Sequence, residues 1–188
     1  MSKDKPSKGL LSAVSKQDYE QVACLLGRKP RGLRGVALRT NDGGPVVIQV
    51  DSLVDGKPFP TLFWLVDQRL NYAIDQLEAG GLIADFQAQV DASAQLQAAM
   101  ASDHQAYLDL RGSLTPPEQQ LAIQQLGFDP VLARRGIGGI ENFTRIRCLH
   151  TYYAAHLVIP NTIGTLLDAH WQAHNVIFCH IANDHLHY

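Results

Sequence analysis

Cysteine is scarce in this 188-residue chain, and the three present, Cys24, Cys148 and Cys179, are far apart and odd in number. That pattern suits reduced thiols better than a disulfide framework and points to the cytoplasm. No apolar run approaches the length of about 20 residues that crosses a bilayer. The start, Met1-Ser2-Lys3-Asp4-Lys5-Pro6, has no apolar signal core behind it, so membrane insertion and secretion both lose support. Charged residues make up 18% against 46% hydrophobic, which leaves disorder only to a flexible N-terminal segment at 1–14. There is no Gly-x-x-x-x-Gly-Lys-Ser/Thr loop and no Gly-x-Ser-x-Gly elbow, so neither a P-loop nucleotide fingerprint nor a hydrolase nucleophile is indicated.

What is there is an uneven charge layout. Residues 1–39 hold nine Lys or Arg and three acids, although the whole chain carries a net charge of -2. Residues 67–129 hold nine acids and only Arg69 and Arg111, an acidic surface that disfavours nucleic acid as a partner.

Periodicity and turn signals give the elements. Ser15 with Asp18 starts a helix through Tyr19, Val22, Ala23 and Leu26, and Gly27 ends it. The runs 36–39 and 46–50 flank Asn41-Asp42-Gly43-Gly44-Pro45 as a hairpin, and 61–66, after the turn at 55–60, reads as a third strand. Of the aromatic pair Phe63 and Trp64, alternation buries one and leaves the other to line a pocket or a helix interface. Helical periods follow from Asp67 to Gly80-Gly81 and over 82–111, with a break near 91–93. Thr115-Pro116-Pro117-Glu118 reads as a capped start, Asp129-Pro130 opens a short helix, and further helices are predicted over 143–158 and from Thr162 into the tail. The expectation is a single α+β domain over 15–188, a small antiparallel sheet of about three strands packed by several helices.

Four separated motifs carry a resemblance. Gly27-Arg28-Lys29-Pro30-Arg31-Gly32 with Val36-Ala37, the run Asp55-Gly56-Lys57-Pro58-Phe59-Pro60-Thr61-Leu62-Phe63-Trp64-Leu65, Gly136-Ile137-Gly138-Gly139, and Arg147-Cys148-Leu149-His150 are similar, in this order, to one bacterial family. The chain resembles the domain-of-unknown-function family numbered 501 over roughly residues 18–165. The resemblance implies a bacterial cytosolic setting and no particular activity. It also implies a zinc site, because relatives place cysteines at the positions of Thr40 and Asp67 alongside the Cys-Leu-His motif. Here Thr40 is a poor ligand and Asp67 would ligate through oxygen.

Two candidate sites emerge. Residues 28–39 hold five cations and no acid, and the guanidinium forks of Arg28, Arg31 and Arg34, with glycines at 32 and 35, suit a phosphate-containing small molecule or polyphosphate. A solvated basic loop paired with acidic helices would look the same in sequence. The second site is Cys148-Leu149-His150 with Asp67, for zinc or for thiol chemistry. Residues two apart point about 200° apart on a helix, so Cys148 and His150 share an ion only if the helix starts or distorts there. Arg69, Asp67, Cys148 and His150 are expected to lie together where strand three meets the helix, and Arg69, Arg145 and Arg147 join Arg28, Arg31 and Arg34 as candidate ligand-binding residues. His170 and His174 share a helix face, though two ligands do not make a site. The expected function is a cytosolic anion-binding or interaction module, and the rival is a metal-dependent or thiol enzyme using the Cys-Leu-His motif.

Overall fold

Ser15 caps α1 (Lys16–Leu26) reciprocally: its hydroxyl oxygen accepts the Asp18 N–H at 3.0 Å while the Asp18 carboxylate accepts the Ser15 N–H at 3.1 Å. Gly27, at φ 65°, closes the helix in the left-handed conformation that a Cβ would oppose. This computed structural model describes residues 14–181, so the N-terminal segment expected to be flexible, apart from Val14, and the tail histidines His185 and His187 lie outside the described residues.

The predicted hairpin is β1 (Leu33–Arg39) with β2 (Pro45–Val50). The turn at Asp55-Gly56 then folds β3 (Leu53–Val54) onto β4 (Lys57–Pro58), a small two-stranded sheet within what the sequence marks only as a turn. β5 (Phe63–Leu65) pairs antiparallel with β2, giving the order β1-β2-β5 with Ile48 opposite Trp64 and Val47 opposite Leu65. All six residues of β2 are buried because both faces of the sheet are covered. Val47, Phe63 and Leu65 enter the main core, while Val36, Ile48, Val50 and Trp64 pack with Val22 and Leu26 of α1. Phe63 is thus buried and Trp64 half-buried, as strand alternation requires.

The remaining helices are α2 (Gln68–Ala79), α3 (Leu82–Asp91), α4 (Ala94–Leu114), α5 (Pro117–Gln125), α6 (Asp129–Arg134), α7 (Leu149–His156) and α8 (Thr162–Ala173). Together with the small antiparallel sheet they make the expected α+β fold. α7 lies at its centre, packed against β5, α2 and α8, with Leu149 and Tyr152 to His156 buried.

Two helix starts differ from expectation. α7 begins at Leu149, not near 143, because side chains of neighbouring helices take up the amides of the preceding segment: Ile146 N–H donates to Gln87 Oε1 at 2.9 Å and Leu149 N–H to Glu78 Oε1 at 2.5 Å. The N-cap of α5 is Pro116, without a side-chain cap, since the Thr115 hydroxyl donates to the Arg111 carbonyl instead. Among the described residues no helix is long and apolar enough to cross a membrane.

Candidate functional site

The loop after α1 and the β3–β4 hairpin rise on either side of Trp64. Gly32 makes this close approach possible: at φ 65°, a Cβ there would lie 2.6 Å from Val54 Cγ2. The loop therefore runs flush against β3, and its carbonyl accepts the Asp51 N–H at 2.8 Å. Between them opens a cleft of about 440 Å³ floored by Trp64, Phe59 and Val54 and rimmed by Arg28, Arg31 and Lys57.

Arg28 Cζ stands 5.3 Å from the Trp64 ring centroid, a cation–π contact, and the Phe59 ring packs at 5.7 Å from the same indole. Trp64 Nε1 is buried and has no hydrogen-bond partner among the described residues. Arg31 Nη1 lies 3.3 Å from Asp55 Oδ2, but both side chains are mostly exposed, so this pair is worth at most about 1 kcal/mol and the guanidinium can turn to another anion. Among the described residues the basic segment makes no ion pair with α2–α5: Arg34 stands 4.0 Å from Asp51 and Arg39 2.7 Å from Asp18 of α1.

A second constellation forms where α7 begins. Cys148 is its N-cap, with extended backbone at φ -157° and ψ 123°, and this is the helix start that lets a thiol and an imidazole two residues apart converge. Cys148 Sγ lies 3.6 Å from His150 Nδ1, and Glu78 Oε1 lies 3.3 Å from the same nitrogen. His150 Nε2 faces the Asn71 carbonyl and Asp75 Oδ1, each at 3.3 Å. Burial disfavours the charged ring, but the hydrogen bond and charge of Cys148, followed by the Glu78 carboxylate, outweigh it and raise the His150 pKa to about 9. His150 and Thr151 line a cleft of about 330 Å³ whose opposite wall is Phe63, Trp64 and Leu65, so Trp64 borders both clefts.

The carboxylate at this cluster is Glu78, in the last turn of α2, where the sequence suggests Asp67. Asp67 stands at the other end of the same helix as its N-cap, accepting the Leu70 N–H at 2.9 Å, with Oδ2 at 3.2 Å from His180 Nε2. It lines a third cleft, of about 500 Å³, with Thr40, Arg69, Cys24 and His180. Arg145 pairs with Asp91 at 3.5 Å and Arg147 is exposed. The arginines therefore divide: Arg28 and Arg31 share a cleft with Lys57, Arg69 belongs with Asp67, and Arg145 points to α3. His170 and His174 stack on each other at 4.3 Å, while His156 is a core residue held by Asp168 at 2.9 Å.

Sequence reasoning misses Glu78, Lys57 and the buried Arg111, which donates to the carbonyls of Pro60, Arg135 and Leu132. Lys57 was open to view inside the quoted 55–65 motif. Asp67 also carried a legible signal: an aspartate directly before a helical period is a preferred N-cap. Glu78 carried none, since an acid on a surface helix ordinarily faces water.

No curated protein and no solved structure matches the chain. One family model does match, over residues 36–169, spanning β1 to α8 and with them the sheet, α2 and the start of α7; the chain belongs to the family described as protein of unknown function (DUF501).

Proposed function

We propose that this protein is an anion-binding module whose ligand is a phosphate-bearing small molecule seated over Trp64 in the cleft between the α1–β1 loop and the β3–β4 hairpin. The observation that carries this reading is the Arg28 guanidinium over the Trp64 indole, with Arg31 and Lys57 on the same rim. Guanidinium groups match phosphate oxygens in two-point fashion, and a half-buried aromatic floor offers a stacking face for a flat group such as a nucleobase. A volume of about 440 Å³ suits a ligand of nucleotide size, within the usual range of small-molecule pockets. The free cysteines Cys24, Cys148 and Cys179 fit a reducing, cytoplasmic setting for such a ligand.

Titrating the untagged protein with a nucleoside triphosphate and with inorganic polyphosphate, at low and moderate salt, tests this. Binding should quench tryptophan emission, weaken as salt rises and be lost in the Arg28→Ala/Arg31→Ala double variant. Affinity unchanged in that variant would end the assignment. A preference for the nucleotide over polyphosphate marks Trp64 as a stacking platform, and the reverse marks the rim charges as the whole of the recognition.

A further inference from the structure

We infer that Glu78, Cys148 and His150 form a binding site for one zinc-type transition-metal ion, with a fourth coordination position left to water. The three donor atoms all lie within 4.8 Å of one another. Two of their separations are those of a coordination shell. Zinc bonds of about 2.3 Å to thiolate and about 2.0–2.1 Å to nitrogen or oxygen, at tetrahedral angles, put sulfur and nitrogen about 3.5 Å apart and nitrogen and oxygen about 3.3 Å apart. The observed separations are 3.6 Å from Cys148 Sγ to His150 Nδ1 and 3.3 Å from His150 Nδ1 to Glu78 Oε1. Two edges of the tetrahedron are thus present in the protein frame.

The surroundings orient the ligands as metal sites do. His150 offers Nδ1 to the cluster because Nε2 faces the Asn71 carbonyl and the Asp75 carboxylate, the outer partners that fix the tautomer of a ligating imidazole. The Leu149 N–H donates to Glu78 Oε1 and so holds this carboxylate oxygen in place. Both α2 and α7 are anchored in the core through Leu70, Ile74 and Leu149, so the ligands rest on rigid elements. The mixed S, N and O donor set favours zinc or cobalt over magnesium or calcium, which take oxygen alone. Three protein ligands are the number found where zinc keeps an exchangeable position, and His150 borders the cleft of about 330 Å³ from which a small molecule would approach.

Cobalt(II) titration of the untagged, chelator-stripped full chain tests the site without a variant. The expected spectrum has a thiolate-to-cobalt charge-transfer band and tetrahedral visible bands at one ion per chain, abolished by one equivalent of zinc. Cys148→Ser should remove the charge-transfer band, and Glu78→Gln should weaken zinc more than about tenfold, the smallest loss typical even of outer-shell changes. His170→Ala/His174→Ala should change neither. A cobalt spectrum lacking the thiolate band, or zinc affinity that survives Cys148→Ser and falls in the His170/His174 variant, overturns the assignment in favour of adventitious binding by the last helix.

Discussion

The Ile137 amide donates to His104 Nδ1 at 3.0 Å, which fixes the buried imidazole as the neutral tautomer whose Nε2–H meets the Tyr152 hydroxyl at 3.0 Å. That hydroxyl donates onward to the Arg145 carbonyl, and Phe143 stacks on the ring at 4.4 Å, so α4, the connector at 137–139 and the approach to α7 are joined through one side chain. Burial pushes His104 down to about 4.

Stability should therefore depend on pH in a defined window. An unfolded histidine takes up its proton near 6.5, whereas the folded ring resists until about 4. Below pH 6.5 the unfolded state binds more protons, so stability falls, and the loss is complete once pH drops below the folded value. The full difference corresponds to about 3 kcal/mol. Urea midpoints measured from pH 7.5 to 4 should fall most steeply in this interval, and a His104→Gln variant should show a flatter profile on a lower plateau. Equal slopes for the two proteins would remove His104 from the account.

Two glycine substitutions should act in opposite directions. A Cβ at Gly164 would stand 2.1 Å from His156 Cγ, and this ring cannot yield because Asn161 N–H donates to its Nδ1 at 3.0 Å while Nε2 meets Asp168 at 2.9 Å. Gly164→Ala should cost about 1–3 kcal/mol, the range for overpacked cores, in spite of the better helix propensity of alanine. Gly112, in the interior of α4, has nothing within 4 Å of its would-be Cβ, so Gly112→Ala should stabilise by about 0.5–1 kcal/mol. Thermal unfolding of both variants reads the signs directly.

Truncation of the aromatic pair on β5 should be asymmetric. Phe63 is 1% exposed and contacts Tyr107 edge-on at 6.3 Å between ring centroids, so Phe63→Ala should lower stability by about 3–5 kcal/mol. Trp64 borders two clefts and Trp64→Ala should cost less while removing anion binding. Comparable stability losses, with ligand affinity intact in Trp64→Ala, would contradict the division of labour between the strand faces.

Local chemistry made much of the fold legible. Ser15 and Asp18 satisfy each other's amides within four residues, glycine is the natural left-handed stop at 27, and alternation on a short strand separates Phe63 from Trp64. The Arg28–Arg31 rim of the cleft over Trp64 was legible for the same reason, as charge concentrated in one loop. What was hidden depends on long-range contact. Glu78 reaches Cys148 and His150 across about seventy positions, and the late start of α7 follows from Gln87 and Glu78 taking amides that a helix would otherwise use. Neither partner leaves a mark beside the residues it serves.

Among the described residues, the cleft over Trp64 has one lining carboxylate, Asp55, and it holds Arg31 at 3.3 Å. An incoming phosphate must compete with it for the guanidinium. Asp55 also has φ 51°, a left-handed conformation that asparagine adopts as readily as aspartate and alanine does not. Asp55→Asn therefore removes the competing charge without straining the β3–β4 turn. An exposed pair of this kind contributes about 0.3–1 kcal/mol, so the variant should bind the anion about two- to fivefold more tightly, with the gain shrinking as salt rises. The gain should vanish when Arg31→Ala is added, because the two changes act on one contact. Tighter binding that persists in the Arg31→Ala background would show that Asp55 repels the ligand directly and that Arg31 is not its partner there.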